Sequence, residues 1–207
     1  MKVLFCNIAW MREYTGNEDG KDKPIHGGEY VDRTDDAHEK YNFSPMYFNG
    51  EDEAYCLGFY ITKSHNGKDI NQMHIEKILG CELCKNEECV DDVLVIYCAK
   101  HPTYNFTTVV GWYNHADVYR HYQNVEFNGG YVQSYNAIAK AKDCVLLPVG
   151  ERSRKIKWQV PRKANGWKFG FGRANVWYAS EDNEDLKEYM KKLLYQIENY
   201  DGENCIK

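Results

Sequence analysis

Short apolar runs of the β type recur along most of this chain, whereas a helical repeat of apolar residues occurs only near its end. Runs of about four to eight such residues, separated by polar segments, are typical of strands. The strand-like runs cover residues 3–9, 54–62, 93–99, 106–112, 118–122, 144–147, 156–160 and 175–179. Many short strands with few long helices predict an α+β protein built on a small β-barrel or a strongly bent sheet.

The C-terminal segment differs in kind, because its apolar residues follow a helical period. These residues are Leu186, Met190, Leu193, Leu194 and Ile197. Ser180 and Asp182 are candidate N-caps, and Gly202 lies just past the expected end. We therefore expect a barrel domain over residues 1–180 and an amphipathic helix over residues 181–207 that packs on the same domain.

Three further segments complete the expected outline. Residues 135–142 and 70–79 are predicted to form shorter flanking helices. The polar stretch 13–40, rich in Gly, Asp and Glu, is predicted to be a loop.

Cysteine content and hydropathy predict the compartment. The chain has 207 residues and eight cysteines, and its N-terminal apolar run lacks the small-residue cleavage site of a signal peptide. No window approaches the roughly 18 apolar residues of a membrane span. We expect a cytoplasmic protein with free thiols and no membrane partner.

Charge is distributed unevenly along the chain. The formal net charge is −5, yet residues 151–173 contain eight cations against the single acid Glu151. The cations are Arg152, Arg154, Lys155, Lys157, Arg162, Lys163, Lys168 and Arg173. Aromatic residues interleave with them, at Trp158, Trp167, Phe169 and Phe171. Such a segment suits a nucleic-acid backbone, with cations for phosphates and rings for bases. The alternative is a solvated hairpin that displays its cations and buries its rings.

Three strand-like segments resemble the PUA-like superfamily, in particular its EVE and YTH branches. They are Val-Leu-Phe-Cys-Asn at residues 3–7, Asp-Asp-Val-Leu-Val-Ile-Tyr at 91–97 and Thr-Val-Val-Gly-Trp-Tyr at 108–113. The resemblance covers about residues 1–125 in order. Residues 160–178 are also similar to the closing part of bacterial barrel domains that accompany modification-dependent restriction enzymes. The 13–40 loop and the C-terminal helix depart from the EVE pattern.

This resemblance implies a pocket that holds a flipped or single-stranded modified base among aromatic side chains. Burying a methyl group favours binding by about 0.8 kcal/mol, and each stacked base adds about 1–3 kcal/mol. The candidate pocket residues are Asn7, Trp10, Trp112, Tyr113, Asn175, Trp177 and Tyr178. Amides such as Asn7 and Asn175 can read the Watson–Crick edge of a base. The alternative for each Trp is an ordinary core position.

The sequence thus favours a module that recognises a modified, for example methylated, base in DNA or RNA without a cofactor. Its expected setting is the specificity domain of a bacterial defence or restriction system, with cleavage in a separate nuclease domain or subunit. Two alternatives stay open. One is a small hydrolase or transferase that uses a Cys or one of His101, His115 and His121 in the same cleft. The other is an interaction module that binds an acidic protein.

A zinc site is the remaining alternative for the cysteines. Cys81 and Cys84 have the spacing of a ligand pair, and Cys89, Cys98 and His101 follow within 21 residues of Cys81. The second pair does not repeat the spacing of the first, and Cys98 alternates with apolar neighbours as a core residue does.

Overall fold

A computed structural model describes residues 1–17, 20–62, 72–127 and 130–206. Its strands in chain order are β1 (Lys2–Asn7), β2 (Met46–Tyr47), β3 (Ala54–Gly58), β4 (Cys89–Lys100), β5 (Thr107–Glu126), β6 (Val132–Lys140), β7 (Cys144–Leu146), β8 (Gln159–Val160) and β9 (Val176–Trp177). Its helices are α1 (Glu29–Thr34), α2 (Val149–Arg152), α3 (Lys155–Trp158) and α4 (Glu184–Glu198). The predicted α+β class is confirmed at this level, as a sheet-dominated molecule with few helices.

All nine of these strands join one mixed sheet. The strand order is β2-β3-β6-β5-β4-β1-β9, and β7 and β8 pair with β5 outside that path. Only β1 and β4 pair in parallel, while the other pairings are antiparallel. Within the described ranges, no pairing joins β2 to β9, so barrel closure stays a prediction.

The alternation of side chains explains why the central strands are apolar along their whole length. Leu4 and Cys6 enter one buried cluster, whereas Val3 and Phe5 enter a second cluster on the opposite face of the sheet. The same alternation continues in β4. Because both faces are covered, these strands read as continuous hydrophobic runs.

α4 covers the second cluster, as its sequence predicts. Leu186, Leu193 and Ile197 are buried on its inner face. The N-cap is Asn183, whose side chain accepts a hydrogen bond from the Leu186 backbone N–H at 3.2 Å. The expectation of Ser180 or Asp182 as the cap was therefore wrong, although the helix itself is confirmed.

Two other helix predictions differ from the structure. Residues 135–142 lie mostly in β6, which pairs with β3 on one side and β5 on the other. These two sets of backbone hydrogen bonds outweigh the helix propensity of an alanine-containing run. For the predicted helix 70–79, residues 70 and 71 lie outside the described residues, and the remainder contains a single 3₁₀ turn, Ile75–Lys77.

Some strand boundaries also differ from those predicted from the sequence. The runs 106–112 and 118–122 form one strand of 20 residues, β5, which pairs with β4 along much of its length and with β6 near its end. The run 156–160 begins as the short helix α3, and only Gln159–Val160 is extended.

The segment 13–40 is largely irregular, as expected, but contains α1 and the start of a 3₁₀ turn at His38–Tyr41. It is held against the sheet at two points. Trp10 and Ile25 exchange backbone hydrogen bonds of 2.8 and 2.9 Å, and the buried Glu39 carboxylate accepts the Ala9 backbone N–H at 2.7 Å. These contacts bring His26 to the carboxyl end of β1.

None of the helices in the described part of the chain combines the length and apolar character needed to cross a membrane.

Candidate functional site

A polar cleft of about 290 Å³ opens where β1 and β4 end and β5 begins. We call it the Arg162 cleft. Its lining residues are Asn7, His26, Lys100, Asn105, Phe106, Thr107, Arg162 and Asn165. Asn7 and Lys100 are the last residues of two parallel strands, and ligands of open sheets commonly bind at that end. The lining contains two permanent cations and no carboxylate.

Arg162 is the central charge of this cleft. Its Nε donates to the Thr107 hydroxyl and its Nη2 donates to the Asn7 side-chain oxygen. Its guanidinium lies 5.1 Å from the centroid of the Phe171 ring. Burial lowers the pKa of Arg162, since desolvation disfavours the charged form. In the described part of the chain, no carboxylate forms an ion pair with it, so its charge lacks a counter-ion.

Other polar groups in the cleft are also free to meet a ligand. Within the described ranges, the side chains of Lys100, Asn105 and Asn165 make no hydrogen bond or ion pair. Tyr104 lies beside the cleft residue Phe106, with their rings stacked at 6.3 Å, and 57% of Tyr104 is exposed. The cleft therefore combines cations and unpaired amides, and an accessible aromatic ring, Tyr104, lies beside it.

His101 has a structural role next to this cleft. Its Nδ1 accepts the backbone N–H groups of Thr103 and Tyr104, each at 3.1 Å, and its Nε2 lies 3.0 Å from the Ser153 hydroxyl. Burial lowers the pKa of His101 and so favours the neutral ring. With both nitrogens engaged, His101 orients the turn before Phe106.

The other two histidines of the enzyme alternative form exposed pairs. His115 Nδ1 lies 2.7 Å from Asp92, and His121 Nδ1 lies 2.9 Å from Glu88. Neither lines the Arg162 cleft, where His26 is the lining histidine.

A second hollow of about 230 Å³ lies beside β9. We call it the Tyr178 hollow. Its lining residues are Ile61, Thr62, Gln72, Met73, His74, Lys77, Ala174, Asn175, Val176 and Tyr178. The Asn7 backbone N–H donates to the Asn175 carbonyl at 2.7 Å, and the two cavities share no lining residue.

Three of the seven predicted pocket residues thus line the two cavities. Asn7 lies in the Arg162 cleft, and Asn175 and Tyr178 lie in the Tyr178 hollow. Burial raises the pKa of Tyr178, which keeps its hydroxyl protonated. That hydroxyl lies 3.8 Å from the Met73 sulfur, a weak acceptor, and its oxygen accepts a hydrogen bond from the His74 backbone.

The structure does not assemble the predicted aromatic cage. Trp112 and Tyr113 are adjacent in β5, and adjacent strand residues point to opposite faces. Trp112 stacks on Trp158 at 5.8 Å in one cluster, whereas Tyr113 packs against Tyr97 at 4.9 Å in the other. Both are fully buried, so as cage residues they were predicted wrongly.

Trp10 and Trp177 are core residues as well. Trp10 packs 5.0 Å from the His101 ring and is 3% exposed. Trp177 lies 4.5 Å from the Phe5 ring, and its Nε1 donates to Glu181 at 2.8 Å. The predicted indole cage is replaced by two cavities lined by amides, cations and tyrosine.

The eight cations predicted to bind a nucleic-acid backbone lie in different environments. Arg152 is fully buried and donates to the carbonyls of Leu147, Met11 and Arg12 at 2.6, 2.7 and 2.8 Å. Burial lowers its pKa. Because all these donors are engaged inside the protein, Arg152 was wrongly assigned to a nucleic-acid backbone.

Three of the remaining cations lie close to carboxylates. Arg154 and Lys157 lie 2.7 and 3.7 Å from Glu151, and Lys163 lies 3.2 Å from Glu181. The pairing with Arg154 lowers the pKa of Glu151. Lys155, Lys168 and Arg173 are exposed and have no ion pair in the described ranges. Arg162 alone of the eight lines the cleft.

Several cavity residues were not anticipated from sequence. They are His26, Lys100, Asn105, Phe106, Thr107 and Asn165 in the cleft, and mainly Gln72, Met73 and Lys77 in the hollow. No short motif marks them. The one available signal is that Asn7 and Lys100 each follow a buried apolar strand, which becomes informative once the two strands are known to be parallel.

The cysteine ligand set of the zinc alternative is not assembled. Cys81 and Cys84 are in hydrogen-bonding contact within a turn, while Cys89 is in β4. Among the described residues, no group of three or more His, Cys, Asp or Glu side chains is arranged to hold a metal ion.

Comparison with protein-family models, curated proteins and solved structures finds no significant match to this chain. The likeness to PUA-like domains stays a prediction, and the two cavities are the structural features that bear on function.

Proposed function

We propose that this protein is a nucleic-acid-binding module that recognises a modified base in a single-stranded or flipped nucleotide. The observation that carries the proposal is Arg162, a partly buried guanidinium held by a hydroxyl and an amide and lacking a carboxylate partner in the described ranges. A desolvated cation with neutral partners favours an anionic ligand.

The neighbouring groups narrow the ligand class. Lys100 supplies a second free cation, and the amides of Asn105 and Asn165 supply unpaired donors and acceptors. The exposed ring of Tyr104 offers a stacking surface. In a nucleotide, the phosphate can use the cations, the base edge the amides and the base face the aromatic ring. A simple inorganic anion uses only the cations and donors.

Nearby exposed cations extend this surface. The Lys155 ammonium lies 5.9 Å from the centroid of the Phe106 ring, which lines the cleft. Lys163 lies two residues before the cleft residue Asn165, in the same 3₁₀ turn. In the proposed complex these residues contact backbone phosphates beyond the bound nucleotide. Cleavage, in a restriction or defence setting, belongs to another domain or chain.

Binding is tested by fluorescence anisotropy on single-stranded oligonucleotides that carry methylated or unmodified bases. We expect Arg162→Gln to weaken binding about 10- to 100-fold, the value of a charge-assisted hydrogen bond of about 1.5–3 kcal/mol. The affinity of the unaltered protein should fall steeply with salt, because phosphate contacts release counter-ions.

The control is Lys192→Gln, which removes an exposed cation of α4, a helix that lines neither cavity. It should leave affinity within about twofold. Equal affinities of the Arg162 variant and the control, or no binding of any oligonucleotide, would contradict the proposal.

A further inference from the structure

We infer that a third cavity, at the turn between β5 and β6, binds a small neutral heteroaromatic molecule with a ring of the nucleobase class. We call it the Tyr131 pocket. It has a volume of about 260 Å³ and shares no lining residue with the Arg162 cleft. Its lining includes Tyr41, Ser44, Met46, Phe127, Tyr131 and Gln133. This inference goes beyond the proposed function, because it requires neither a phosphate nor a polynucleotide.

Three aromatic rings form the walls of this pocket. The Tyr131 ring centroid lies 5.8 Å from that of Tyr41, with the ring planes at 70°, and 6.0 Å from that of Phe127. Tyr131 is 46% exposed, so a ligand can reach its ring from solvent. Met46 adds further apolar surface. A flat ring gains binding free energy by stacking on such side chains.

Hydrogen bonds hold these walls in place without a ligand. The Phe127 backbone N–H donates to the Tyr131 carbonyl at 2.8 Å, which closes the turn that carries both rings. Next to Tyr41, the fully buried Asn42 side chain exchanges hydrogen bonds of 2.8 and 2.9 Å with the Phe59 backbone. Because the pocket is preformed, less affinity is lost to the ordering of side chains.

Gln133 supplies the polar recognition group. It is only 7% exposed, it lines the pocket, and within the described ranges its side-chain amide has no hydrogen-bond partner. Buried amides are nearly always hydrogen-bonded, so this one marks a place where a ligand completes the bonding. An amide offers two donors and an acceptor, which match the mixed edge of a nucleobase.

The charge distribution disfavours a cationic ligand, the other class that aromatic pockets bind. The described lining residues include no carboxylate that would stabilise a bound cation. The Lys40 ammonium already lies 5.4 Å from the centroid of the Tyr41 ring and 3.0 Å from the Asp36 carboxylate. The pocket therefore suits a neutral ring with a hydrogen-bonding edge.

NMR titration of ¹⁵N-labelled protein with adenosine, inosine, cytidine and uridine tests this inference. None of these probes carries a phosphate. At least one should bind with a Kd of about 1 mM or below, the range expected for a ligand of this size. It should shift the side-chain amide signals of Gln133. Tetramethylammonium ion, the cationic probe, should bind more weakly than that nucleoside.

Two variants assign the interactions. Tyr131→Ala should weaken binding of the tightest nucleoside at least about fivefold, because it removes a stacking ring. Gln133→Leu keeps the approximate size of the side chain and removes its hydrogen bonds, so it should weaken binding about two- to tenfold.

Tyr195→Ala is the matched control, because it removes a tyrosine ring that is 66% exposed on α4 and does not line the pocket. It should leave affinity within about twofold, as surface substitutions usually do. Thermal melting verifies that all three variants are folded.

The inference is overturned if no nucleoside binds, if the cationic probe binds more tightly, or if Tyr131→Ala and Tyr195→Ala have equal affinities. An unchanged affinity of Gln133→Leu overturns the assignment of a hydrogen-bonding edge. These outcomes are independent of oligonucleotide binding at the Arg162 cleft, so each proposal can fail while the other stands.

Discussion

At the scale of single residues, Arg152 and Arg162 have opposite environments although they lie ten positions apart in one basic segment. Arg152 directs its donors at three backbone carbonyls, two of which belong to the N-terminal loop after β1. Arg162 donates its hydrogen bonds to two side-chain oxygens at the edge of a cleft. The first arginine therefore joins distant parts of the chain, and the second remains available to a ligand.

We expect Arg152→Ala to lower the free energy of unfolding by about 3 kcal/mol or more, since two buried carbonyls and one part-buried carbonyl lose their donor at about 1–3 kcal/mol each. Urea unfolding followed by circular dichroism measures the change. Arg154→Ala is the matched control, because its exposed pair with Glu151 contributes less than about 1 kcal/mol. Similar losses for the two variants would refute the structural role of Arg152.

At the scale of elements, α4 illustrates how local and tertiary signals combine. Its apolar period fixes which face is buried, and Glu184 and Asp185 in its first turn suit the positive end of the helix dipole. Where the helix begins is less evident, because Ser180, Asp182 and Asn183 are all residues that cap helices. In the structure the helix begins at Glu184, after the Asn183 cap.

We expect Asn183→Ala to destabilise the protein by about 1 kcal/mol, the usual value of an N-cap side chain. Asp182→Ala should change stability by less than about 0.5 kcal/mol. Its carboxylate is almost fully exposed, and its ion pair with Lys187, at 3.6 Å, is a weak surface contact. Thermal unfolding of both variants provides the comparison. A larger loss for Asp182→Ala would instead place the cap one residue earlier.

β6 forms where the sequence predicts a helix. The run Tyr-Asn-Ala-Ile-Ala-Lys-Ala-Lys at residues 135–142 contains good helix formers. In the fold its first six residues lie between β3 and β5, where two neighbours supply backbone hydrogen bonds. Local propensity of a few tenths of a kcal/mol per residue does not outweigh that pairing.

At the scale of the whole molecule, the sheet separates two buried clusters, and the cysteines differ in how deeply they are buried. Cys6, Cys56, Cys81, Cys98 and Cys144 are buried, whereas Cys84, Cys89 and Cys205 are partly exposed, and none of the eight is disulfide-bonded. Burial raises the pKa of Cys89 to about 11, which leaves little thiolate at neutral pH.

We expect a thiol reagent such as DTNB to modify Cys84 and Cys205 first in the folded protein at pH 8, with Cys89 slower and the five buried thiols slowest. All eight should react rapidly in denaturant. Mass spectrometry of partly modified protein identifies the sites. Early modification of Cys6, Cys56 or Cys144 would contradict the packing described above.

The sequence by itself determined the α+β class, most of the strands and the amphipathic helix with its buried face, because periods of 2 and 3.6 residues are local properties. It also identified Asn7, Asn175, Tyr178 and Arg162 as candidate site residues. Tertiary structure alone decided that four predicted cage aromatics are core residues and that Lys100, Asn105 and Asn165 meet Arg162. Those outcomes depend on the parallel pairing of β1 with β4 and on which face of each strand is covered, and both are set by contacts between residues far apart in the chain.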